Sequence, residues 1–103
     1  MAKKRRPHRS LLVPHSVKGD DAAFEISRVW IGRKKMHVAL SVGRYLHAGR
    51  TDEPAIWGVI LADLSRHLAR GLWEEFGLDE DETLRLLRKS LGKELNKPTS
   101  RIT

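Results

Sequence analysis

Phe24-Glu25-Ile26-Ser27-Arg28-Val29-Trp30-Ile31, followed across Gly32-Arg33-Lys34-Lys35 by Met36-His37-Val38-Ala39-Leu40-Ser41-Val42, decides the fold. The first run is rich in β-branched and aromatic residues, and the second alternates apolar with polar or small ones. The segment between them reads as a tight turn, so the two runs form an antiparallel hairpin. Pairing Ile31 with Met36 sets the register. Val29, Ile31, Met36, Val38, Leu40 and Val42 then share one face, and Phe24, Ile26, Arg28, Trp30, His37, Ala39 and Ser41 share the other. The first face is expected to be core. The second is mixed, and a two-stranded hairpin is marginal in water unless something covers it. Phe24, Ile26 and Trp30 are therefore expected to form an interaction face. A homodimer would cover it, by sheet-face packing or by joining two hairpins into one sheet. A third strand from residues 10–17 is the competing solution, and Pro14 would confine it to an edge.

Outward from the hairpin, residues 43–53 read as a polar loop and the chain then turns helical. Thr51 or Asp52 can cap the first helix, and Pro54 suits its first turn. Trp57, Ile60, Leu61, Leu64, Leu68, Leu72 and Phe76 fall on one stripe at helical spacing. Gly77-Leu78 is a helix stop with a hydrophobic follow-on. Asp79 can cap a second helix, with Glu82 completing a capping box. Its apolar stripe is Leu84, Leu87, Leu91 and Leu95, and Asn96 and Pro98 end it. The class is therefore α+β: a hairpin packed on two antiparallel helices in two layers, in the order β-β-α-α. Residues 1–22 read as a flexible basic arm, 23–96 as a single domain and 97–103 as a C-terminal tail.

Composition narrows the classes. The chain has 103 residues, no cysteine and a formal net charge of +7. That length suits one domain. The lack of cysteine excludes disulfides and thiolate zinc sites and suits a reducing, cytoplasmic setting. No apolar run reaches the roughly 20 residues a membrane span needs, so no membrane partner is expected. The charge is uneven: residues 1–50 hold 12 Lys/Arg against 3 Asp/Glu, and residues 51–103 hold 8 against 10. Lys3, Lys4, Arg5, Arg6 and Arg9 cluster in the arm. Arg28, Arg33, Lys34, Lys35, Arg44 and Arg50 cluster around the hairpin, with Trp30 and Tyr45 nearby. A basic surface with aromatics can hold an anion or a single-stranded nucleic acid through phosphate contacts and stacking. No helix-turn-helix or RNA-binding sheet signature accompanies it.

The most distinctive stretch is Trp57-Gly58-Val59-Ile60-Leu61-Ala62-Asp63 followed by Arg66-His67. With the Trp-containing strand before it, this pattern resembles a family of short bacterial proteins classed as a domain of unknown function. The resemblance covers residues of about 24–76 and leaves out the basic arm. It implies the fold and supplies no activity.

Other constellations point away from catalysis. Asp63 and His67 lie one helical turn apart and could form an oriented base, but no third ligand has a matching spacing. Ser65 lies two residues from each and faces elsewhere, so there is no Ser-His-Asp triad. Gly43 and Gly49-Arg50-Thr51 miss the phosphate-loop spacing and lack its lysine. What survives there is a glycine-bearing loop beside a helix start that could hold an anion. The histidines at 8, 15, 37, 47 and 67 show no metal spacing, and neither a metal nor a cofactor is expected. The sequence thus points to a non-enzymatic binding module that self-associates. The alternatives are a nucleic-acid-binding accessory protein using arm and hairpin, and a small enzyme using His67 with Asp63.

Overall fold

The computed structural model describes residues 10–100. Two β-strands, β1 (Ser27–Gly32) and β2 (Lys35–Leu40), are followed by three helices, α1 (Arg44–His47), α2 (Glu53–Phe76) and α3 (Glu80–Asn96). This is an α+β chain in which the hairpin precedes the two long helices. The chain divides into two compact units, one ending at Val42 and one beginning at Gly43. The basic cluster Lys3, Lys4, Arg5, Arg6 and Arg9 lies outside the described residues.

In the first unit the strands pair antiparallel with Ile31 opposite Met36, Val29 opposite Val38 and Trp30 opposite His37. The register is the one the alternation dictates. The turn holds Arg33 at φ 51° and Lys34 at φ 61°, both left-handed. Two consecutive left-handed residues make the tight turn whose twist matches that of the strands. Side chains with a Cβ occupy that region at a cost of roughly 1–2 kcal/mol each.

One expectation for this unit is corrected, and one competing alternative is set aside. The Val29–Ile31–Met36–Val38–Leu40–Val42 face is not core: each of these side chains is about half exposed or more, up to 76% at Ile31. Ile26 and Trp30, on the mixed face, are the partly covered ones, while Phe24 is exposed. A two-stranded sheet has two faces, and among the described residues of its own unit only the segment of residues 10–26 is left to cover them. Nor do residues 10–17 form a third strand: among the described residues the sheet has two strands. Pro14 instead opens a 3-10 turn at His15–Val17, with Val17 N–H donating to the Pro14 carbonyl at 3.2 Å.

In the second unit α2 and α3 pack against each other. Residues 43–53 are more than a loop, because α1 occupies Arg44–His47. Asp52 stands at the N-cap of α2, yet its side chain makes no cap hydrogen bond and pairs with Arg50 instead. At the other end Gly77 adopts φ 70° and donates its N–H to the Trp73 carbonyl at 2.8 Å. That left-handed stop re-satisfies a terminal carbonyl. Asp79 caps α3 by accepting from Glu82 N–H at 2.9 Å. The reciprocal half of the capping box is missing, since the Glu82 carboxylate turns to Arg85.

Burial along α2 does not follow its large apolar stripe throughout. The buried apolar residue is Ala69, only 1% exposed, whereas Leu64 and Leu68 are at least half exposed. Gly58, Ala62, Ser65 and Ala69 recur at spacings of four, three and four and form a seam of small residues. Only the Ala69 end of that seam is buried: Ser65 is half-buried, and Gly58 and Ala62 are exposed. The stripe of Trp57, Ile60, Leu64 and Leu68, in which Trp57 and Ile60 are half-buried, is centred about 120° away around the helix.

Candidate functional site

The most organised polar cluster of the second unit centres on Glu53, the first residue of α2. Its carboxylate accepts from the backbone N–H groups of Gly43 at 2.6 Å, Tyr45 at 2.9 Å and Leu46 at 3.1 Å. The indole Nε1–H of Trp57, one turn along α2, donates at 3.3 Å. Gly43 sits at φ 85°, which the close approach of its N–H to the carboxylate exploits. Glu53 is 5% exposed. Donation from Gly43 above all, with Leu46, Tyr45 and Trp57 behind it, holds the Glu53 carboxyl below its ordinary value against the opposing push of burial.

This cluster answers the expectation of an anion-holding loop around Gly43 and Gly49. The loop does hold an anion, and the anion is the chain's own. The N–H groups that an external phosphate would need are taken by a carboxylate. Reading the sequence alone missed Glu53. The available signal was an acidic residue followed four positions later by Trp, directly after a glycine-flanked segment.

The expected cationic residues divide. Arg28 makes a two-pronged pair with Glu25, Nε to Oε1 at 2.9 Å and Nη2 to Oε2 at 3.1 Å. Arg50 does the same with Asp52 at 3.0 and 2.7 Å, which also holds the Asp52 carboxyl below its usual value. Arg33, Lys34 and Lys35 are exposed and adjacent at the hairpin tip. Behind them His37 Nε2 meets the Gly32 carbonyl at 2.9 Å. Arg44 opens α1 in the second unit. On the proposed interaction face, Trp30 shares a cavity of about 200 Å³ with Ser10 and Leu11, and Phe24 borders a second with Leu12 and Val13.

Asp63 and His67 are both exposed and line an open cleft with Arg66, Arg70 and Glu80. Arg70 and Glu80 are ion-paired there at 3.2 Å. Ser65 donates its hydroxyl to the Leu61 carbonyl at 2.9 Å and is turned away from both. Among the described residues no group of three His, Asp or Glu side chains could hold a metal ion. No helix among them is long and apolar enough to cross a membrane.

The second unit also carries an apolar groove of about 630 Å³ between α2 and α3. Leu61 and Ala62 wall it from α2, and Leu84, Leu87, Leu91 and Leu95 from α3. Arg66 and Arg88 stand in its lining, which contains no carboxylate.

Four solved chains are similar to this one. One is "Structure of a putative pyruvate dehydrogenase from the photosynthetic bacterium Rhodopseudomonas palustrus CGA009". It is 27% identical, with a TM-score of 0.63, over 99% of this chain and 93% of that one. No curated protein matches the chain. The family model of a domain of unknown function, DUF5076, matches residues 10–99, reaching beyond the hairpin and first long helix on both sides. The Trp-bearing hairpin and the Trp-Gly…Ala-Asp…Arg-His helix are thus parts of one longer pattern, and the chain belongs to the DUF5076 family.

Proposed function

We propose that the chain is a non-catalytic binding module that assembles with copies of itself. One observation carries this reading. Ala69 is the buried apolar side chain among the described residues, while Ile31, Val38, Leu40, Leu64, Leu68 and Phe76 are all about half exposed or more. Leu, Ile, Val and Phe are the residues most often found inside a folded protein. Ordering a chain of this size opposes folding by of order 100 kcal/mol, and apolar burial is the main compensation. A surface that must be covered for the chain to be stable needs a partner present wherever the chain is made. A second copy meets that condition.

The exposed Asp63–His67 pair favours binding over chemistry, because a general base gains its tuned acidity from burial and a fixed partner. The name of the similar structure offers pyruvate oxidation as a competitor, and consumption of pyruvate by the purified chain would establish it. The primary test is mass by light scattering across roughly 1–100 μM protein, where assembly responds to mass action. A dimer or larger species is expected. A cooperatively folded monomer throughout that range overturns the reading.

A second reading, nucleic-acid binding by the hairpin, has its own observation. Arg33 and Lys34 hold left-handed backbone that glycine or asparagine would occupy more readily, and both are cations at an exposed tip. Fluorescence anisotropy with a random single strand and a random duplex, at about 50 and about 200 mM salt, tests it. Salt-sensitive binding that weakens on neutralising Arg33, Lys34 and Lys35 supports this reading, and binding indifferent to those changes removes it.

A further inference from the structure

We infer that the groove between α2 and α3 is a binding site for a single-chain anionic amphiphile, an alkyl carboxylate being the simplest member. The inference does not depend on self-association, since it rests on a different side of α2. Leu84, Leu87, Leu91 and Leu95 line the groove from α3. Leu84 to Leu95 spans eleven residues, or about 16 Å of helix, which suits an extended chain of about a dozen carbons. The volume of about 630 Å³ falls within the range of small-molecule sites.

The two arginines decide the chemistry. Arg88 has Leu84, Arg85, Leu91 and Gly92 at the positions three and four residues away, so its own helix offers it no carboxylate. Arg66 has Asp63 three residues back, but no ion pair joins them among the described residues. Two cations therefore border an apolar trough with no counter-charge in its lining. An uncharged apolar partner, such as the leucine stripe of a second copy, would desolvate both guanidinium groups and leave them unpaired, which is unfavourable. A carboxylate head would instead receive charge-assisted hydrogen bonds from one or both, and its alkyl tail would cover the leucines.

The test uses the full chain in whatever assembly it forms. Calorimetric titration with dodecanoate is compared with dodecyltrimethylammonium, a chain of equal length and opposite charge, below their micellar concentrations. Dodecanoate is expected to bind about tenfold more tightly or better. The double variant Arg66→Gln, Arg88→Gln, shown to be folded by its helical circular dichroism, is expected to lose that advantage while retaining weak binding of both. Equal binding of the two amphiphiles, absence of dodecanoate binding, or a dodecanoate affinity unchanged in the folded double variant each overturns the inference. The oligomer mass, measured separately, does not enter any of these outcomes.

Discussion

The carboxylate of Glu53 accepts a hydrogen bond from the backbone N–H of Gly43, ten residues earlier, at 2.6 Å. With Tyr45, Leu46 and Trp57 it ties the segment preceding α2 to that helix's first turn. Glu53→Gln puts an amide where several N–H donors converge, so one donor meets another. The variant is expected to melt roughly 10 °C lower near neutral pH, the size that a buried unsatisfied polar group produces in a domain of this length. An unchanged melting temperature would show that the cluster contributes nothing.

The same carboxylate sets a pH dependence. Its folded-state pKa lies below its ordinary value of 4.5, so the unfolded chain takes up the proton first as pH falls. The stabilisation is fully present above about pH 4.5 and is lost as pH drops through the lower, folded-state value. Glu82, Glu94 and Asp52 are shifted the same way, so the wild type alone does not isolate one group. The difference in melting temperature between wild type and Glu53→Gln does. It is expected to be constant from pH 7 to about 5 and to shrink below that. A gap that persists undiminished at pH 3 contradicts this assignment.

The hairpin tip carries strain that can be relieved. Replacing Arg33→Asn together with Lys34→Gly supplies the residues that tolerate φ 51° and φ 61°. The hairpin is expected to gain about 1–2 kcal/mol. Amide hydrogen exchange of Arg28, Trp30 and Ala39, which the register places in hydrogen-bonded pairs, reads this locally and should slow by roughly tenfold. Faster exchange would mean the cationic side chains stabilise the turn in some other way.

Assembly through the leucine stripe of α2 is tested by Leu64→Asp and Leu68→Asp. On a free surface such changes lie within about 0.5 kcal/mol of neutral. Where a second copy covers them, a buried unpaired carboxylate forces dissociation. Light scattering is expected to show a smaller species and calorimetry a lower melting temperature. Unaltered mass in both variants would move the assembly surface elsewhere.

Helix ends provide a calibrated pair. Asp79→Ala removes the acceptor for Glu82 N–H and is expected to destabilise by about 1 kcal/mol, while Asp79→Asn stays within a few tenths. Gly77→Ala forces a Cβ into φ 70° and is expected to cost about 1 kcal/mol. Urea midpoints compared at constant slope measure both. Equal midpoints for Asp79→Ala and wild type would remove the cap from the account.

The hairpin register, the Gly77 stop and the Asp79 cap were all legible from neighbouring residues. Alternation of period two, a glycine after a helical stripe and an acid three residues before an N–H donor are local signals. The chain's order of elements followed from them. What tertiary structure alone decided was which surfaces meet. The sequence marked Trp57, Ile60, Leu64 and Leu68 as the face to bury because they are large and periodic. Packing instead buried the small Ala69 and left Leu64 and Leu68 at least half exposed, because close approach of two helices depends on side-chain size as well as hydrophobicity. Likewise, Gly43 and Glu53 are ten residues apart, and only a folded backbone could bring three N–H groups and an indole onto one carboxylate. Period and propensity act over a few residues, whereas the partner of a face or a charge is set by chain segments that meet only once the protein has folded.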